Sequence, residues 1–216
     1  VVKKQFTLRT FIAIFSVFHH HKITILSFHM VDNQFILSNL QKLTELKQTA
    51  NESFANLTSE QFNYKLQPEQ WSVAQCLDHL VVSDLLYFPV LKNITSGNYQ
   101  MTKWEKWNPL NFLIGKMLVT GMQEQVRKKF KSPKIFLPDT KTIDTGIYER
   151  YDKHLDTLMG YISSAQSLDI DKIKITSPAS PVITLSLRHA FLLLVQHQGR
   201  HINQALKLKK QRSFPN

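Results

Sequence analysis

The feature that most constrains this chain is a long apolar stripe near its C-terminus. Leu187, Ala190, Leu194, His197, His201, Ala205 and Leu208 recur at the i, i+3, i+4, i+7 spacing that lines up one face of an α-helix. Such a stripe must be covered by other elements, and two of its members are histidines. Four residues apart on a helix, they project from the same face about 6 Å from one another, close enough for both imidazoles to reach one metal ion. A buried pair can equally hydrogen-bond to neighbouring groups, because H-x-x-x-H alone is a common spacing. A third ligand is what separates the two cases.

At 216 residues the chain can bury one sizeable core. Hydrophobic residues make up 43% and Gly and Pro number only 6 and 8, so long helices are expected rather than a turn-rich sheet. The net charge of +11 lies largely at the ends, in Lys3, Lys4, Arg9 and Lys22 and in Lys207, Lys209, Lys210 and Arg212. That distribution argues against a nucleic-acid surface, and the run Arg127 to Lys131 reads as a solvated helix end. The single Cys76 excludes an internal disulfide and points to a reducing, cytoplasmic compartment.

Residues 1–29 differ in character from the rest of the chain. Their apolar run, Phe11 to Phe18, is too short to span a bilayer and stops at His19-His20-His21-Lys22, whose flexible tract offers a metal no fixed geometry. We read the segment as upstream sequence before a start at Met30, with a short leader or anchor as the other reading. One domain is then expected over residues 30–210, with a tail at 211–216.

Helical periodicity runs from Asp32 to about Leu57, through Ile36, Leu40, Leu43, Ala50 and Phe54. Thr58 to Gln70 reads as a connection. Ser72-Val73-Ala74-Gln75 is a capping box opening a second helix, with Trp71 at the staple position and Cys76, His79, Val82, Ser83, Leu86 and Val90 along one side until Pro89 kinks or ends it. Gly97 to Asn108 reads as a loop, and Asn108-Pro109 as the cap and first residue of a third helix that closes in the basic run. Ser132 to Thr142 must be irregular, and a further helix starts at Asp144 or Thr145, with His154 beside its apolar stripe as a surface or boundary residue. Ile173 to Thr176 hints at strand but is too short to build a sheet, and the last helix is expected from about Leu185 to Lys209. These amphipathic segments predict an all-α bundle.

Two helices of a bundle can bring His79, His197 and His201 to one point. Three neutral imidazoles leave coordination positions open, as a reactive metal site requires and a structural one avoids.

The segment Trp71 to Leu80 together with His197-x-x-Arg200-His201 resembles the DinB/YfiT-like superfamily of metal-binding four-helix bundles, over roughly residues 33–209. Its members are described as metal-dependent hydrolases and, in one branch, as bacillithiol S-transferases. The resemblance implies an up-down-down-up four-helix bundle with an extra helical segment between helices two and three. It also implies that His79, His197 and His201 are the metal ligands. Many relatives carry an acid after the first histidine of the pair, where this chain has Gln198. Gln cannot serve as a base, so a zincin-like peptidase is excluded. Asp78 is the nearest acid in sequence, but adjacent helical residues diverge by about 100°.

With no base identified, thiol transfer fits better than hydrolysis, because a metal-coordinated thiol is deprotonated outright. The expected cofactor is a divalent ion, zinc or nickel first and iron, cobalt or manganese as alternatives, with a low-molecular-weight thiol as possible cosubstrate. Cys76 reads as a small buried filler rather than a ligand or nucleophile. The expected partner is a small-molecule substrate, with no nucleic acid and no membrane, and with homodimerisation open. A metal hydrolase, or a non-catalytic metal- or ligand-binding bundle acting in stress response, are the competing readings.

Overall fold

A computed structural model describes residues 32–122, 134–138 and 142–216. The expected extension 1–29 and the basic run at 127–131 lie outside the described residues. Four longer helices dominate: α1 over residues 32–54, α3 (Val73–Leu85), α7 (Ile147–Ser164) and α8 (Leu187–Lys209). Shorter helices join them: α2 (Ser59–Asn63), α4 (Phe88–Thr95), α5 (Lys103–Trp107) and α6 (Asn111–Met122). No single helix among the described residues is long and apolar enough to cross a membrane.

α3 is the central element. It packs against both α7 and α8, and its buried residues, from Val73 and Ala74 to Ser83 and Asp84, fall almost all round it rather than on one stripe. Its start is set by the expected capping box, in which Gln75 N donates to Ser72 Oγ at 3.2 Å and Ser72 N donates to Gln75 Oε1 at 3.3 Å. The break between α3 and α4 bends the chain by 46°, with Pro89 in the first turn of α4, where its missing N–H costs nothing. Gly97, at φ +75°, closes α4 in a left-handed conformation that a side chain would resist.

α1 lies along α7 and α8 through ties at both ends. Tyr148 Oη donates to Asn51 Oδ1 at 2.9 Å, Lys209 Nζ to the Ser53 carbonyl at 2.6 Å, and Arg188 joins Asp32 to Asp171. Between these ties, Ile36, Leu43, Ala50 and Phe54 enter the core with Leu155, Leu158 and Ile202. α6 approaches α8 so closely that a Cβ at Gly115 would sit 2.8 Å from the His189 ring.

Several expectations change. The Thr58 to Gln70 connection contains α2, and the Gly97 to Asn108 loop contains α5, each opened by its own capping box, Thr58/Gln61 and Thr102/Glu105. Five-residue helices bury too little to leave a periodic stripe, so their caps are their only sequence signal. α1 ends at residue 54, α6 begins two residues beyond Pro109, and α8 begins at Leu187 with Ser186 as its cap. The strand hint at 173–176 does form a ladder: β1 (Lys174–Thr176) pairs antiparallel with β2 (Thr184–Ser186), Ile175 opposite Leu185. Glu105, buried on α5, anchors it by accepting from Thr176 N at 2.8 Å. The architecture is an all-α bundle with this one hairpin as a clip.

Ser72→Ala is expected to cost about 1 kcal/mol, because the first turn of α3 loses its side-chain acceptor inside the core. For a chain of this size that is a fall of roughly 2–4 °C in melting temperature, read by thermal denaturation against the parent.

Candidate metal centre

α3 contributes His79, and α8 contributes His197 and His201 one turn apart. The three rings form a nearly regular triangle, with centroids 4.8, 4.6 and 4.7 Å apart. One nitrogen from each lies within 4.8 Å of the others. His79 and His201 are buried, while His197 opens partly into an adjoining cavity of about 340 Å³. Trp71, the residue before the α3 cap, stacks on His201 at 5.4 Å and touches His79 at 4.6 Å, closing the outer side.

The hydrogen bonds fix how the rings present themselves. His79 Nδ1 donates to the Phe136 carbonyl, with Ser83 Oγ 3.3 Å away, which leaves the Nε2 lone pair facing His197 Nε2 at 2.9 Å. His201 Nδ1 is buried with no hydrogen-bond partner among the described residues. An orphaned buried nitrogen costs roughly 1–3 kcal/mol, so the ring is held in place by packing on Trp71 and its histidine neighbours rather than by this atom. Orienting a ligand imidazole through its other nitrogen is also the usual arrangement around bound metals.

Burial holds all three imidazoles below the ordinary histidine range, His79 against the pull of the Phe136 carbonyl and Asp78; His201 lies at about 3 and His197 well below 6.5, with the neighbouring histidines and the Arg200 guanidinium adding to the effect at these two. They are therefore neutral, the form that binds metal. Arg200 itself turns aside, donating to the Gly121 carbonyl at 3.0 Å and so fastening the end of α6 beside the site. The donor set fits a divalent transition metal: three neutral nitrogens, no carboxylate among them, and open space on the cavity side.

A second polar layer lies next to the histidines, and helical periodicity did not reveal it. Asp84, fully buried on α3, lines the same cavity as His79 and His197. Its Oδ2 accepts from Gln198 Nε2 at 2.7 Å and from His154 Nε2 at 3.2 Å, whereas Oδ1 has no partner among the described residues. Burial pushes the Asp84 carboxyl above the usual carboxylate range, against the pull of His154 and Gln198. His154 is thus a core residue stacked on Phe88 at 4.6 Å, not the boundary residue its place beside the α7 stripe suggested. Cys76 is the expected inert filler: it is fully buried, and burial pushes its thiol up to about 12.

With three imidazoles converging on one side of a helical bundle, comparison with known proteins is informative. Residues 42–205 match the sequence model of the DinB superfamily. The chain belongs to the DinB superfamily. No characterised protein and no solved structure gives a significant match. As a DinB superfamily member the chain is a helical bundle of a generally metal-binding kind, and its buried histidine triad could hold a metal.

Elemental analysis of untagged protein is expected to find about one divalent ion per chain. His79→Ala, His197→Ala and His201→Ala should each lose most of it while keeping the helical circular dichroism; retention in any variant would remove that residue from the ligand set. The metal-free protein should also be acid-sensitive. A histidine depressed in the fold contributes fully above the unfolded value of about 6.5, and the contribution is lost as pH falls towards the folded value. Asp84 acts in the opposite sense, because its raised value lets the fold keep a proton that the unfolded chain releases; its window opens at the ordinary carboxylate value and overlaps theirs, but it is one group against three histidines. Urea unfolding with chelator present should therefore show stability falling between roughly pH 7 and pH 5. His201→Gln should flatten that slope, and an equally steep slope in the variant would mean that His201 is not held neutral.

Proposed function

We propose that this DinB superfamily protein is a metal-dependent transferase that joins a low-molecular-weight thiol to an electrophilic small molecule. The observation that carries the reading is the triad's position at the edge of a largely apolar cavity: His79 and His197 share its lining with Met117, Leu118, Met122, Phe136, Leu193 and Leu194. His79, His197 and His201 would hold a divalent ion, which would supply the Lewis acidity that favours the deprotonated form of a thiol.

The chain's own residues would do the rest. The Phe136 carbonyl keeps the His79 proton on Nδ1, so that Nε2 remains a ligand. The apolar wall takes up the body of the electrophile and keeps water from competing with sulfur. Tyr87 and Ser177, whose hydroxyls lie 3.3 Å apart, and Ser83 offer hydroxyl groups to a polar end of the substrate. In the reaction a sulfur–carbon bond forms, the carbon's bond to its leaving group breaks, and the thiol proton leaves to the leaving group or to solvent.

Asp84 favours a second reading, hydrolysis, because it places a carboxyl in the wall of the same cavity. Two features speak for transfer. Oδ2 already accepts two hydrogen bonds, and Oδ1 is sealed from solvent, so neither oxygen is set to take a proton from entering water.

Protein reloaded with zinc or nickel and offered apolar alkyl halides and epoxides is expected to consume them only when a thiol such as bacillithiol, cysteine or glutathione is added. His197→Ala should abolish the consumption. Turnover in water alone would select hydrolysis, and no turnover by metal-loaded protein would favour a binding protein.

A further inference from the structure

The fold gathers apolar residues that the sequence scatters. Trp107 is 81% exposed, Phe112 68% and Leu113 64%, and Trp104, Leu110, Met117, Ile135, Leu137 and Val182 are exposed as well. Contacts bring together the segments that carry them. The Trp104 indole donates to the Val182 carbonyl at 3.3 Å, which brings α5 against the turn before β2, and α6 packs on β2 and α8. Met117 reaches from this face into the lining of the cavity, as do Phe136 and Ile183, the neighbours of Ile135, Leu137 and Val182. The patch is therefore continuous with the cavity wall.

Its charge is one-sided. Lys103, Lys106 and Lys116 are exposed on α5 and α6, and the only acid between residues 97 and 122, Glu105, is buried in the hairpin anchor. A monomer rarely leaves so many large apolar side chains uncovered together. A second copy docked about a two-fold axis would bring the same lysines towards one another, with no exposed acid from this stretch to meet them. Tryptophan and leucine beside lysine is instead the combination that seats in a headgroup layer, with the apolar groups at the acyl boundary and the ammonium groups on lipid phosphates.

We propose that the α5–α6 face docks on an anionic phospholipid surface, turning the cavity towards the bilayer. This proposal departs from the expectation, drawn from the sequence, of no membrane partner; the surface docks on the bilayer and spans nothing. If the cavity is the substrate site proposed above, the class it would take is an apolar electrophile partitioned into lipid; the docking itself requires neither metal nor turnover.

The test is sedimentation of the full chain with extruded vesicles of phosphatidylcholine alone or mixed with phosphatidylglycerol. Binding to the anionic vesicles is expected to be at least about tenfold tighter and to weaken with salt. Trp107→Ser combined with Leu113→Ser should lower it by about tenfold or more with unchanged circular dichroism, since both side chains are largely in solvent. Lys103→Glu, Lys106→Glu and Lys116→Glu together should remove the preference for phosphatidylglycerol. Failure to sediment with either vesicle would overturn the proposal. So would binding that survives the serine pair unchanged, which would assign it to another segment. A concentration-dependent dimer in sedimentation velocity, abolished by the serine pair and without vesicle binding, would show that a second copy covers the face.

Discussion

The contact between α3 and α8 sets the geometry on which everything else depends. Two polar layers cross it side by side: the three imidazoles, and the Asp84–Gln198 hydrogen bond with His154 behind it. Polar groups in a dry interior are costly unless their partners are correctly placed, so these layers tolerate few relative positions of the two helices. A slide or rotation that apolar packing could absorb would break the short bond between Gln198 and Asp84. Gln198 follows His197 directly, and Asp84 lies five residues beyond His79, so this bond holds both sides of the triad in register.

The histidine cluster also shows how a fold can hold a binding site ready. Three uncharged rings crowd together with one nitrogen orphaned and another fixed by a backbone carbonyl. Each ring costs little while neutral, but the set has unmet acceptor capacity. In a bundle of marginal net stability, such a concentration of lone pairs is sustained by the surrounding apolar packing and completed by a cation. Cys76, a turn away, offers no thiolate that could compete, because the same burial keeps its proton in place.

How much of this was legible depends on what periodicity can express. The α8 stripe put His197 and His201 on the inner face, and the capping box before α3 set the phase that turned His79 inward. Asp84 was missed for a definite reason. Periodic reading assumes one covered face, whereas α3 is covered by α7 on one side and α8 on another, so its core residues do not fall on a stripe. The signal present was compositional: an aspartate within Leu80-Val81-Val82-Ser83-Asp84-Leu85-Leu86, where an unpartnered acid would be expensive. His154 escaped similarly, because a residue beside the stripe of α7 becomes interior once Phe88 lies over it. The α5–α6 patch could not be read at all, since it is assembled from four separate segments.

The amide at position 198 can be understood through Asp84. An acid there would place a second carboxylate within hydrogen-bonding distance of a fully buried one. Like charges in so dry a site cannot both ionise. Gln198 instead supplies an amide donor of nearly the same shape, 2.7 Å from Oδ2, and leaves one acid in the layer. The site's one buried carboxyl therefore sits on the α3 side of the metal-binding face. With Oδ2 already accepting two hydrogen bonds and Oδ1 buried, that carboxyl holds the two helices in register, and thiol transfer asks no protein base of it.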